Sequence, residues 1–158
     1  MCSYALTQRA LVQAVEGHRT TTLADVAEAE CQHDRDRPPP GPFDTYPQPA
    51  LDYRRARILH TLGERRQSLD AFRASLRKRP PTRHRAHAIT QAHLARTLTV
   101  TGDLDLAARH RHAFLEHYPH LRSARVDREL TPLRRFLGQF PHVRCLRSLR
   151  ERAQVLTA

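Results

Sequence analysis

The chain has 158 residues, of which 39% are apolar, 27% charged and only 6% aromatic, with no Trp. It is long enough for one domain with a real core, and its composition suits helices better than a β-sandwich. The formal charge is +11, carried almost wholly by arginine. No apolar run approaches the roughly 18 residues of a membrane span, and MCSYALTQRALVQAVEGHR lacks the pattern of a secretory leader, so a cytoplasmic protein without membrane contact is expected.

The first helix is expected over 4–16, where Leu6, Ala10, Leu11 and Ala14 share one face before Gly17. A second is expected over 23–32, with Thr22 as its cap and Asp25 three residues on in the manner of a capping box. Residues 33–49 form a connector, because six prolines between 38 and 49 forbid a helix. Helices then follow over 50–62 and 65–78, a break at Pro80-Pro81, helices over 83–101 and 104–117, and a break at Tyr118-Pro119. The last two helices are expected over 123–137, capped by Ser123 and kinked or split at Pro132, and over 141–156, opened by Pro141 at the first helical position.

A shift of 39 residues relates two parts of this series. LGERRQSLDAFRASLRKRP, residues 62–80, aligns with TGDLDLAARHRHAFLEHYP, residues 101–119, so that Gly63 meets Gly102, Ala56 meets Ala95, Leu59 meets Leu98, Ser68 meets Ala107, Leu76 meets Leu115 and Pro80 meets Pro119. A fixed period of this size marks stacked helix pairs, since one pair cannot bury its apolar stripe alone. Of the five glycines, Gly17, Gly63, Gly102 and Gly138 each follow an amphipathic run, where a left-handed cap favours glycine; Gly41 lies in the connector. The sequence therefore predicts an all-α domain over 1–158, a right-handed superhelical stack of about four antiparallel helix pairs, each turning at a glycine.

Gly63, Ser68, Phe72, Ser75, Leu76 and Pro80 resemble the tetratricopeptide repeat, which has a turn glycine, a small residue five on, further packing residues nine and twelve on and a proline seventeen on. Gly102, Ala107, Leu115 and Pro119 fit as well, although Arg111 stands where the other copy has Phe72. In their order and spacing, LADVAEAE, ARILHTLGERRQSLDAF, RHRAHAITQAHLARTLTVTGDLDLAARH and SARVDRELTPLRRFL resemble the C-terminal repeat region of actinobacterial XRE-type helix-turn-helix transcriptional regulators. In that family the repeats sense or bind a partner and a separate N-terminal domain holds DNA. Here the repeats begin near residue 1, so the DNA-reading role is not carried over, and a truncated regulator is a further alternative.

The tetratricopeptide resemblance implies a concave face lined by residues ten, six and three before each turn glycine. On this chain those are Tyr53, Arg57 and His60, then Ala92, Arg96 and Thr99, then Arg128, Pro132 and Arg135. Guanidinium forks match carboxylates and phosphates, so such a groove suits an acidic peptide or protein, while pairing with Asp52, Asp127 or Glu129 is the plainer account of the same arginines.

Charge is uneven. Residues 1–50 hold four arginines against seven acids, a net −3, and residues 51–158 hold 23 basic residues against nine acids, a net +14. Such asymmetry marks an anionic partner or a coding bias toward arginine. The basic segment Arg65, Arg66, Arg73, Arg77, Lys78, Arg79, Arg83 and Arg85 offers a nucleic-acid surface as the alternative function, without sequence reading because the register places Phe72 and Phe114 in the helix interface and leaves no aromatic to stack on bases. FLGQFPHVRCLRSLRER, with Arg144, Arg147, Arg150 and Arg152, is read as the second helix of the last pair rather than a DNA-recognition helix.

Chemistry beyond binding is not indicated. Cys2, Cys31 and Cys145 are odd in number and lack a CxxC, which argues against a disulfide framework or a thiolate zinc site. His84 with His87 and His117 with His120 are spaced i, i+3, but neither pair has an acid or cysteine to complete it, so solvated or capping histidines and no metal are expected. No phosphate loop, GxSxG or HExxH occurs, and Asp103 and Asp105 are placed at a helix start where their charge suits the dipole. A non-enzymatic module without a cofactor is expected; a homodimer stays open.

Overall fold

Three glycines set the turns of this chain. Gly17, Gly63 and Gly102 have φ of 84°, 85° and 85°, the left-handed region that a Cβ disfavours. At each, the glycine N–H donates to the carbonyl three residues back, as in Gly63 to His60 at 3.1 Å. The next N–H donates to the carbonyl five residues back: His18 to Gln13 at 2.9 Å, Glu64 to Leu59 at 2.9 Å and Asp103 to Leu98 at 3.0 Å. Carbonyls that a helix end would leave orphaned are thereby satisfied, and the chain folds back at once.

The computed structural model describes residues 2–35 and 46–155, and no strand occurs among them. Around the three glycines lie α1 (Ser3–Val15) and α2 (Arg19–Arg35), α3 (Gln48–Thr61) and α4 (Arg65–Lys78), and α5 (His84–Val100) and α6 (Leu104–His117). A 3-10 turn at Tyr118–His120 leads to the short α7 (Ala124–Asp127) and to α8 (Leu130–Gln139); a second at Arg144–Leu146 leads to α9 (Arg147–Val155). Two compact units divide the chain, Met1–Lys78 and Arg79–Ala158.

The same positions are buried in all three hairpins. Seven residues before the glycine stand Ala10, Ala56 and Ala95, each wholly buried, and five after it Thr22, Ser68 and Ala107, also wholly buried. Small residues there let the two helices of a hairpin approach closely. The Ser68 hydroxyl donates to the Ala56 carbonyl and the Thr22 hydroxyl to the His18 carbonyl, each at 2.8 Å, so the two polar members of the set are satisfied. In the first unit α1 also packs on α3, and Ala10, Ala14 and Val26 meet Ile58 in a shared core. Arg9 clamps α1 to α2 by donating through Nε and Nη2 to the two carboxylate oxygens of Asp25, both at 2.6 Å.

Several expectations are corrected. Thr22 and Asp25 do not open α2, which begins at Arg19 because the turn at Gly17 delivers the chain directly into a helix; the Thr22 hydroxyl instead donates to the His18 carbonyl at 2.8 Å. The ends of the expected connector are helical, since α2 runs to Arg35 and α3 starts at Gln48 with Pro49 in its first turn. The rest of that segment, including Gly41, lies outside the described residues. Gly138 is no turn: it sits inside α8, which ends at Gln139 because Phe140, the residue before Pro141, is disfavoured from helical geometry. Pro141 accordingly precedes a turn rather than opening the last helix, which starts at Arg147. The seventh helix is indeed split, but at Arg128-Glu129. Pro132 then stands third in α8, where its missing N–H would have had no intrahelical acceptor.

Two predictions follow from these turns and clamps. Gly102→Ala should cost about 1–2 kcal/mol, whereas Gly138→Ala, in a helix with open space around the new Cβ, should gain up to ~1 kcal/mol; urea titrations followed by circular dichroism separate the two. Arg9 holds the Asp25 carboxyl below its ordinary value of 3.8, mainly by hydrogen bonding. That stabilisation is complete above the ordinary value and is lost as pH falls through the lowered one. Asp25→Asn should therefore destabilise the chain at pH 6 and lose less stability than the wild type on going to pH 3, as measured by urea midpoints.

Candidate anion site of the second unit

Nine residues after each turn glycine the hairpins bury Val26, Phe72 and Arg111, the last at 3% exposure. An arginine in a hydrophobic position must find compensation inside the fold. Its guanidinium carbon lies 4.2 Å from the centre of the Phe136 ring, a cation–π contact between α6 and α8. Burial first, and Arg96 second, pull its pKa down to about 10, while Glu129 opposes them. Arg111 is thus still a cation at neutral pH.

Glu129, at the junction of α7 and α8, is the carboxylate this cluster shares. It accepts a hydrogen bond from Nη2 of Arg96 on α5, and its other oxygen is 3.7 Å from Nε2 of His93, one turn earlier on the same helix. The Glu129 side chain is only 13% exposed, that of Arg96 37%. The buried Nε–H groups of Arg96 and of Arg111 have no acceptor among the described residues. Glu129 therefore pairs with the Arg96 guanidinium, lies near the His93 imidazole and attracts Arg111 electrostatically without an ion-pair contact, leaving a partly open, positively biased site. The surrounding unit reinforces the bias: residues 79–158 hold 15 basic residues against six acids, a net +9, whereas residues 1–78 are only +2.

The residues expected to line a groove fall into both units. In the first, Tyr53 is buried with its ring 6.1 Å from that of Phe72, Arg57 is half-buried, and the His60 carbonyl accepts from Arg65 at 2.6 Å. In the second, Arg96 joins the Glu129 cluster and the Thr99 hydroxyl donates to Ala95 at 2.9 Å. Arg128, whose Nε donates to the Ala124 carbonyl at 3.2 Å, and Arg135 are exposed. Of the alternative nucleic-acid set, Arg65 is tied to His60, Arg73 to Asp70 at 3.4 Å and Lys78 to Asp52 at 3.0 Å; Arg66, Arg77, Arg83 and Arg85 are exposed, and Arg79 is half-buried.

Sequence reasoning did not select His93, Arg111, Glu129 or Phe136 as a site. The available signal was Arg111 itself, a charge in the register of Val26 and Phe72. The two histidine pairs are also not separately solvated, because the hairpin of α5 and α6 brings them into one cluster. Nδ1 of His84 and Nδ1 of His117 are 3.2 Å apart, His120 lies 5.0 Å from His84 ring to ring, and His87 stacks on His117 at 5.2 Å.

Removing the shared carboxylate should cost more than removing the buried cation. Glu129→Gln, which leaves two guanidinium groups under-neutralised, should destabilise by about 1–3 kcal/mol. Arg111→Leu, which exchanges a desolvated charge for an apolar group, should lie within about 1 kcal/mol of wild type. Urea midpoints in the opposite order would contradict the arrangement.

No protein-family model matches this chain, and no curated protein or solved structure matches it either. No described helix is long and apolar enough to cross a membrane.

Proposed function

We propose that the chain is a non-enzymatic helical-repeat interaction module of tetratricopeptide type, related to the sensing part of a bacterial transcriptional regulator, and that it binds an acidic peptide or protein. The repeat reading is supported by three hairpins with one turn geometry, one register of buried small residues and the packing of α1 on α3. The observation that carries the ligand class is the Glu129 cluster, where a single carboxylate pairs with Arg96, lies near His93 and is the nearby charge that offsets the buried Arg111, inside a unit of charge +9.

An incoming carboxylate adds the negative charge this site lacks. Arg96 presents the part of its side chain that Glu129 leaves at the surface, and Arg111 contributes positive potential from behind it. Arg128, next to Glu129 in the chain, and Arg135 on α8 supply exposed forks for further carboxylates. Desolvation strengthens these pairings at the cluster, while the exposed arginines act mainly on the rate of encounter and on salt dependence.

Fluorescence anisotropy with a labelled Glu- and Asp-rich peptide tests this reading. Arg128→Glu combined with Arg135→Glu touches only exposed side chains and should weaken binding by about tenfold or more, each reversed charge costing of the order of 1 kcal/mol or more. Arg66→Glu with Arg77→Glu should leave peptide binding intact. Equal affinity of wild type and the first variant would refute the peptide site. Tight capture of a single-stranded oligonucleotide that the second variant abolishes, with no peptide binding, would replace the reading by the nucleic-acid alternative.

A further inference from the structure

Where α5 begins and α6 ends, four imidazoles from three helical segments meet. His84 and His87 come from the first turn of α5, His117 from the last residue of α6 and His120 from the 3-10 turn that follows. We propose that this cluster binds a late first-row divalent cation, with Zn2+ as the reference ion, through Nδ1 of His84 and Nδ1 of His117.

Imidazole nitrogen is a ligand that zinc, copper and nickel share. Zinc–nitrogen bonds of about 2.0–2.1 Å in a tetrahedron place neighbouring nitrogens about 3.3 Å apart, and the two Nδ1 atoms stand at 3.2 Å. In the absence of a cation one of them must donate its proton to the other. With a cation between them, both lone pairs point at the metal.

His87 plays a different part. Its Nε2 lies 3.1 Å from the Pro80 carbonyl, which can only accept, so Nε2 carries the proton. That bond anchors a ring stacked at 28° on His117, which limits how far the His117 ring can turn. As the rings stand, no group of three His, Cys, Asp or Glu among the described residues is placed to hold a metal. His120 supplies the third donor by turning about its own side-chain bonds, for it is exposed and its ring already lies 5.0 Å from that of His84. Water fills the fourth position.

The test is a Zn2+ titration by calorimetry on the full chain, free of any histidine tag, followed by Co2+ absorption. One ion per chain is expected, with a tetrahedral Co2+ spectrum. Binding should weaken by about tenfold or more in His84→Gln/His117→Gln and stay unchanged in His142→Gln, which alters an exposed histidine elsewhere in the unit. If the double variant does not fold by circular dichroism, His120→Gln decides, because it changes an exposed ring; it should weaken binding and remove the tetrahedral spectrum. Identical isotherms for wild type and the folded double variant, an unaffected His120→Gln, or a purely octahedral Co2+ spectrum would overturn the site.

Discussion

Burying one guanidinium imposes more on the second unit than any other contact. Arg111 stands where its two counterparts, Val26 and Phe72, simply fill the hairpin interior. A desolvated cation at that point needs a polarisable face and a counter-charge, and no residue of α5 or α6 supplies the carboxylate. Both arrive from the following segment: the Phe136 ring of α8 lies against Arg111, and Glu129 at its start, itself paired with Arg96, attracts Arg111 electrostatically. The chain after α6 therefore departs from the hairpin pattern. Instead of a fourth glycine turn it has a short α7, a break at Glu129 and α8 laid so that its apolar face is buried while Glu129 meets Arg96. The compensation is incomplete: Glu129 is paired with Arg96 and lies 3.7 Å from His93, so Arg111 feels its charge without an ion pair of its own among the described residues.

The first unit shows the same hairpin design without that deficit. Its core uses small and apolar residues at the equivalent positions, and Asp25, Glu64 and Asp52 each take one cation, from Arg9, Arg19 and Lys78. Ser75 reaches the Pro49 carbonyl at 2.6 Å and ties the end of α4 to the start of α3. Charge balance within 1–78 leaves that unit close to neutral, and the excess of positive charge belongs to the unit that also contains the under-neutralised cluster.

Much of the fold was legible because glycine and the small-residue register act locally. The turns at Gly17, Gly63 and Gly102 and the extents of α4 and α6 follow from the sequence, since a left-handed cap and a stripe of alanines constrain only near neighbours. Gly138 misled for the same reason: it follows an apolar run, but Pro141 determines where that helix stops. Thr22 and Asp25 look like a capping box until the turn at Gly17 is seen to start α2 three residues earlier. The candidate site was less legible, because it depends on which residues meet across helices. The register selects Arg96 and leaves Glu129 as one of three candidate partners, but only the fold pairs these two across 33 residues, and the histidine pairs, each incomplete alone, are joined only when α5 and α6 fold back on one another.

The central claim, that Arg96 and Arg111 hold unmet positive charge for an acidic ligand, is tested most directly by nuclear magnetic resonance of their Nε–H groups. In the free protein both signals should be protected from exchange with water, as befits buried donors. Saturating the chain with an acidic peptide should shift the Arg96 signal, and the Arg111 signal to a lesser degree, while the Arg9 signal, held by Asp25, stays in place. Saturation without movement of either signal would contradict the account and move the ligand to another surface.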